Sequence, residues 1–331
     1  MDSSVYIFLD IDYNHTQVVK VLEGSNEMDY SDIRFPHLGI VLKSVGRYIQ
    51  IGNFQIMYYG IIIACAFLIG LLFAQHEAKR TGQDPDIYID YLLCMVIPAI
   101  IGARAYYVIF AWDMYKNDPI QILNIRNGGL GIVGGVIAAF IVLVIFTRVR
   151  KQSLLLMLDT VAMPLLLGQI MGRWGNFFNR EAFGGYTNGP LAMQIPLGYF
   201  IKTGRVQELA GTGILEHLVN VNVSGQQIPC IQVHPTFLYE GLWNLALLLI
   251  IFFYRKHKKF DGELICLYFC GYGVGRFLIE GLRIDQLKIG HTGIAVTQVV
   301  CVVIFLIGLI GMITQRAKAR RSSDKNIETK L

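Results

Sequence analysis

The sequence predicts an all-α polytopic membrane protein: seven transmembrane helices with a small extracytoplasmic head, the N-terminus outside and the C-terminus cytoplasmic. Three observations carry this expectation. Hydrophobic residues make up 54% of the 331 positions and charged residues only 16%, with a mean hydropathy of +0.48, far too apolar for a soluble chain of this length. Seven apolar stretches are about long enough to cross a bilayer core of about 30 Å. Basic residues cluster in every second segment between them, as the positive-inside rule requires.

The stretches are Phe54–Gln75, Tyr91–Trp112, Leu130–Thr147, Leu154–Gly172, Pro235–Tyr254, Leu264–Gly281 and Thr292–Thr314. Lys79 and Arg80 follow the first; Arg148, Arg150 and Lys151 follow the third. Arg255, Lys256, Lys258 and Lys259 follow the fifth, and Arg316, Lys318, Arg320 and Arg321 the seventh. All four clusters share one face, which is therefore cytoplasmic. The chain then divides into an extracytoplasmic segment 1–53, spans one to four over 54–176 and a head segment over 177–233. Spans five to seven occupy 234–315, and a basic cytoplasmic tail, expected to be disordered, occupies 316–331. The net charge of +5 is mostly inner-face bias suited to an anionic leaflet, and does not point to nucleic acid.

Residues 1–35 are acidic and lack a basic start followed by an apolar run, so no cleavable signal peptide is expected. A poorly ordered tail is the better reading of this stretch. Cys65, Cys94, Cys266, Cys270 and Cys301 fall in spans and Cys230 stands alone outside. That spacing predicts no metal site. No internal repeat is evident, which weighs against transporters built from inverted repeats.

The spans carry residues that a lipid-facing helix avoids. An ionisable group at the centre of a span costs about 2.5–3.5 kcal/mol on insertion scales and marks a paired or functional site. With the alternating topology, these groups converge on the outer half of the membrane. Tyr58 and Tyr59 open span one; Arg104, Tyr106 and Tyr107 lie late in span two. Arg173 and Asn176 end span four, and His234, Tyr239 and Glu240 begin span five. Tyr272, Arg276 and Glu280 end span six at a spacing of i, i+4, i+8 on one helical face, with Arg283 on nearly the same stripe. Gly271, Gly273 and Gly275 interleave with them and allow close approach by a helix or a lipid. Guanidinium forks match phosphate oxygens, so such a cavity suits an anionic phospholipid headgroup. Blander readings apply to some members. Arg180 and Arg283 could snorkel, Tyr106 or Tyr107 could belong to an aromatic belt, Glu280 could simply hold an arginine, and Asp159 and Pro164 could only shape their helix.

The motifs Gly172-Arg-Trp-Gly-Asn-Phe-Phe-Asn-Arg-Glu181 with Phe183-Gly184, His234-Pro-Thr-Phe-Leu-Tyr-Glu240 and Tyr272-Gly-Val-Gly-Arg-Phe-Leu-Ile-Glu280 resemble the signatures of prolipoprotein diacylglyceryl transferases. Phe35-Pro-His-Leu-Gly39, Tyr59-Gly60 and Gly102-Ala-Arg104 are similar too, and the resemblance spans roughly residues 33–315. It implies a multi-pass enzyme of the bacterial plasma membrane, with its active site toward the extracytoplasmic leaflet. Such an enzyme moves the diacylglyceryl group of phosphatidylglycerol onto the lipobox cysteine of a preprolipoprotein signal peptide and needs no cofactor. Arg173 and Arg276 would be the essential headgroup arginines. Tyr59, Arg104, Asn176, Glu181, Gly184, Tyr239, Glu280 and Arg283 would contribute to substrate binding, and His234 and Tyr272 are the candidates for moving a proton. One position departs from the pattern. Family members often carry histidine or tyrosine before the second Gly pair at the start of span three, where this chain has Val133. Valine has no proton to move, which excludes a histidine base in that slot.

The implied chemistry is alkyl transfer to a thiol. A free thiol has a pKa of about 8.5, which nearby guanidinium groups lower. Fixed arginines also stabilise the negative charge growing on the departing glycerol phosphate. Holding thiol and lipid in line is worth about 7–11 kcal/mol in well-aligned cases. The rival reading is a non-catalytic anionic-lipid binder or transporter using the same arginines. A carrier should line a path to both faces, and the inner halves of these spans are almost purely apolar.

Overall fold

A computed structural model describes residues 30–125, 128–223, 225–288 and 293–328. Most of the acidic leader, through Asp29, lies outside the described residues, as does Thr292. The chain divides into two compact units. One comprises Met1–Ala64, Gln169–Ala246 and Tyr272–Phe305; the other comprises Cys65–Gly168, Leu247–Gly271 and Leu306–Leu331.

The long helices are α1 (Tyr58–Arg80), α2 (Asp86–Phe110), α4 (Ile132–Val149), α5 (Leu154–Asn179), α7 (Thr236–Tyr254), α8 (Glu263–Glu280) and α9 (Val296–Glu328). The short ones are α3 (Trp112–Tyr115) and α6 (Leu197–Lys202). Among the described residues, six helices are long and apolar enough to cross a membrane, namely α1, α2, α4, α5, α7 and α9. The chain is thus a mostly helical, multi-pass membrane protein. Helix α8 stands apart: its 18 residues include Glu263, Arg276 and Glu280.

Several boundaries differ from those predicted, four of them with structural consequences. Phe54–Met57 is a strand, and α1 starts only at Tyr58. Helix α5 runs on through Asn179, because the polar Arg173–Asn176 turn finds partners within the protein instead of ending the helix. Helix α8 stops at Glu280, which removes Arg283 from the stripe of Tyr272, Arg276 and Glu280. Helix α9 continues as far as Glu328, where a disordered tail was expected.

In the second unit, α2 packs along α4. Several of the basic residues that follow the spans have specific partners. Buried Glu77 bonds Arg80 and accepts from Arg255 Nη1 at 2.7 Å. Glu263 bonds Arg316 and the Tyr254 hydroxyl. Asp159 does more than shape its own helix. Its carboxylate accepts from the amides of Gly262 and Ile265 at 2.9 and 3.0 Å, which caps the start of α8. Lys258 balances its charge at 3.1 Å.

The first unit corrects the all-α expectation. Strands β1 (Ile33–Phe35), β2 (Ile40–Leu42), β5 (Met193–Pro196), β6 (Val219–Val223) and β7 (Gln226–Val233) form an antiparallel sheet of order β2-β1-β5-β7-β6. Arg34 of β1 pairs with Gln194 of β5, so the head draws strands from the N-terminal segment as well as from residues 177–233. Its core contains Ile33, Phe183, Ile195, Leu197, Phe200, Ile231 and Val233, continuous with Phe177 of α5 and Phe237 of α7. A separate hairpin, β3 (Tyr48–Ile51) with β4 (Phe54–Met57), precedes α1.

The α2–α4 contact depends on glycine. A Cβ at Gly134 would stand 2.2 Å from the Gly102 carbonyl oxygen. Gly134→Leu is expected to destabilise the protein by about 1–3 kcal/mol through overpacking, measured as a lower melting temperature in detergent. An unchanged melting temperature would mean that the two helices do not approach this closely.

Candidate active site

The site is assembled in the first unit from the end of α5, the start of α7 and the end of α8. On α5, Arg173 and Asn176 lie one turn apart, and Arg173 Nη1 donates to Asn176 Oδ1 at 3.0 Å. The chain then leaves the helix abruptly, with Arg180 and Ala182 both at positive φ. This reversal carries Glu181 back, so that its Oε1 accepts from Asn176 Nδ2 at 2.7 Å and from Asn179 Nδ2 at 3.2 Å. The Arg180 guanidinium does not snorkel. It is buried, donates to the carbonyls of Ser31 and Val45, and lies over the Tyr199 ring. Those contacts offset the cost of its left-handed backbone.

Helix α7 supplies the central carboxylate. Glu240 is only 2% exposed. Its Oε2 accepts from Arg276 Nη1 at 3.1 Å, and its Oε1 lies 2.9 Å from Arg173 Nη2 in an ion contact. Arg276 Nη2 in turn lies 2.6 Å from Glu280 Oε2. Arg276, Glu240, Arg173, Asn176 and Glu181 therefore form one continuous polar chain across three helices. Arg173 is its more open guanidinium, with a side chain 20% exposed against 10% for Arg276. Tyr59 packs its ring over Gly175, which sets it beside the Arg173 turn. Tyr272 stands one turn before Arg276 on α8.

His234 and Tyr239 form a second pair, with Nδ1 and the phenol oxygen 3.2 Å apart. Burial lowers the His234 pKa below the usual imidazole value, so the ring is neutral near pH 7. The His234 backbone bonds Gly184 and Gly185. Gly184 is needed for packing: a Cβ there would stand 2.7 Å from the Leu282 carbonyl and 2.8 Å from His234 Cβ. Gly184 also bridges Arg283, whose guanidinium forks onto Asp285 at 2.8 and 2.6 Å. Burial pushes the Asp285 carboxyl up, but Arg283 more than offsets this and holds it below the ordinary carboxylate value.

Arg104 lies in the second unit and has a different task. Its five N–H donors go to the carbonyls of Gln121, Ile122, Asn124, Gly128 and Gly129, at 2.7–3.1 Å. A phosphate could reach this fork only by displacing one of them, so Arg104 clips a loop. Glu240, absent from the predicted site set, proves to be its centre. The signal was present in the sequence, as an acid within an apolar run of membrane-spanning length.

A family model described as prolipoprotein diacylglyceryl transferase matches residues 47–314. The chain belongs to this family. It is 40% identical over 268 residues to a phosphatidylglycerol–prolipoprotein diacylglyceryl transferase of Bacillus mycoides, covering 81% of this chain and 91% of that protein. It is 41% identical to the Bacillus cereus protein of the same name with the same coverage, and 36% identical over 273 residues to that of Clostridioides difficile, covering 82% of this chain and 94% of that protein. The family match takes in every predicted site residue. It begins after Phe35-Pro-His-Leu-Gly39, which lies outside it.

Two expectations follow. Glu240→Gln leaves two guanidinium groups facing each other without their shared counter-charge, and breaking a buried ion pair costs about 3–5 kcal/mol. Thermal unfolding in detergent should show that loss, with Glu240→Asp intermediate; equal melting points would deny Glu240 its central role. His234 supplies a pH signature. Its folded pKa is depressed, so the unfolded chain takes up the proton first, and stability present above about pH 6.5 is lost as pH falls through and below that value. His234→Gln should flatten this part of the melting-temperature profile, and parallel profiles would contradict the neutral imidazole.

Proposed function

We propose that this chain transfers the diacylglyceryl group of phosphatidylglycerol to the lipobox cysteine thiol of preprolipoproteins, forming a thioether and releasing glycerol phosphate. The observation that carries this reading is the meeting of Arg173 and Arg276, from helices a hundred residues apart, at one buried carboxylate. The names of the relatives supply the reaction and its lipid. In the membrane we take α8 as an additional span, its charges satisfied within the protein. The N-terminus is then outside, the C-terminus is cytoplasmic, and the site opens to the extracytoplasmic leaflet of the bacterial plasma membrane.

The thiol sulfur attacks the glyceryl carbon bonded to the phosphate ester oxygen. The C–S bond forms as the C–O bond breaks, and glycerol phosphate leaves with the electron pair. The more open Arg173 receives the lipid phosphate, and its fork stabilises charge growing on the leaving group. Arg276, enclosed by Glu240 and Glu280, sets the field around that position. Asn176 and Tyr59 orient the lipid, with Asn176 held in turn by Glu181. The thiol proton goes to the neutral His234, whose partner Tyr239 keeps the ring in place, with Tyr272 the other proton-handling candidate. Val133, the second residue of α4, takes no part. The reaction needs no cofactor.

The test is purified protein with labelled phosphatidylglycerol and a lipobox peptide, scored by the mass shift of the peptide. Arg173→Ala and Arg276→Ala should each abolish transfer while the protein remains inserted, and lysine should restore little because a point charge does not reproduce the fork. Phosphatidylethanolamine, which lacks the glycerol headgroup of the lipid that the relatives' names give, should give no product. Normal turnover in either alanine variant, or equal use of both lipids, would remove the headgroup assignment. Lipid binding with no transfer by the unaltered protein would identify a non-catalytic binder.

A further inference from the structure

The hairpin before α1 has one wholly apolar face that no other part of the described protein covers. Its register pairs Tyr48 with Met57, Ile49 with Ile56, Gln50 with Gln55 and Ile51 with Phe54. Strand side chains alternate between faces, so Ile49, Ile51, Phe54 and Ile56 share one face, and Gln50 and Gln55 lie on the other with Tyr48 and Met57. Phe54 is 78% exposed and Ile51 60% exposed, with Ile49 and Ile56 also exposed. The two strands pair only with each other and join no larger sheet. A lone two-stranded hairpin is marginal in water and needs a surface to rest on.

Chain continuity identifies that surface. Strand β4 ends at Met57 and α1 begins at Tyr58, with no residue between them. The Tyr58 amide also donates to the Arg47 carbonyl at 2.9 Å, which ties the base of the hairpin to the first turn of the helix. Helix α1 is one of the six long enough to cross a membrane, and Phe67, Leu68 and Leu72 along it are exposed. The hairpin is therefore held where a span enters the bilayer. Open strand edges are excluded from the hydrocarbon core because their backbone groups need water or partners. A flat arrangement satisfies both demands, with the isoleucines and phenylalanine dipping below the headgroups and the strand edges and glutamines remaining wet.

We infer that Tyr48–Met57 is an interfacial anchor, lying on the lipid leaflet through Ile49, Ile51, Phe54 and Ile56. The contact depends on α1 crossing the membrane and not on the transfer reaction, so its test is separate from the assay of activity. The full chain carrying Phe54→Trp or Gln55→Trp is reconstituted in vesicles containing phosphatidylcholine brominated near the headgroup end of its acyl chains. The emission of the three native tryptophans, measured in the unaltered protein, is subtracted. Neighbouring positions on opposite faces should differ by about twofold or more in quenching, with the Phe54→Trp emission quenched and blue-shifted, as expected for a side chain buried several ångströms into the interface. Ile51→Asp added to Phe54→Trp should reduce the quenching. Equal quenching at the two positions would overturn the anchor. So would an unquenched Phe54→Trp emission that shifts only on addition of a lipobox peptide, which would assign the face to peptide docking instead.

Discussion

The Glu240 carboxylate is the constraint on which the site depends. Two guanidinium groups on separate helices cannot be brought together in a low-dielectric interior without a counter-charge between them, since like charges there repel strongly. Glu240 is placed by the first turns of α7, whose entry is fixed by the Thr236 hydroxyl bonding the Ala182 carbonyl. The same residue, Ala182, lies at the abrupt exit from α5. The geometry of the ion pairs thus rests on a backbone turn several residues away. The strain in that turn is sustained by the buried Arg180, which ties it to Ser31 and Val45. Head and site are parts of one construction.

The polarity of this arrangement bears on anion recognition. Arg276 faces two carboxylates and Arg173 only one. Two cations balanced by buried acids do not form a strong anion sink. What they offer is preorganisation, because the guanidinium groups are already fixed and need little rearrangement as charge develops. In the proposed reaction, an asymmetric pair of this kind would separate two tasks that one arginine would have to combine: contact with the ligand and control of the local field.

Much of this was legible in the sequence. The long apolar runs gave the place of each long helix and most of their ends to within a few residues, because hydropathy over some twenty positions is a strong signal. Arg173, Asn176, Glu181, Arg276 and Glu280, expected at the site, are linked in the structure through Glu240. Three things were not legible. The head sheet is built from strands of three to eight residues, too short for periodicity to distinguish from loop, and its β1–β5 pairing joins residues far apart in the chain. Phe54–Met57 merged with the apolar run that follows, because an exposed apolar strand and the start of a span have the same composition. Arg104 matched a motif and a depth, but its role is decided by the loop carbonyls around it, which composition does not encode.

That last residue has a wider consequence. Irregular backbone is normally kept out of water-poor surroundings, because carbonyls without partners are costly to dehydrate. For the carbonyls of Gln121, Ile122, Asn124, Gly128 and Gly129, one side chain takes the place of a neighbouring strand by satisfying all five oxygens at once. A loop supplied in this way needs neither a regular ladder nor bulk solvent. The 3-10 turn Pro119–Leu123 beside it leaves Ile120 and Leu123 exposed, while these carbonyls remain hydrogen-bonded from within.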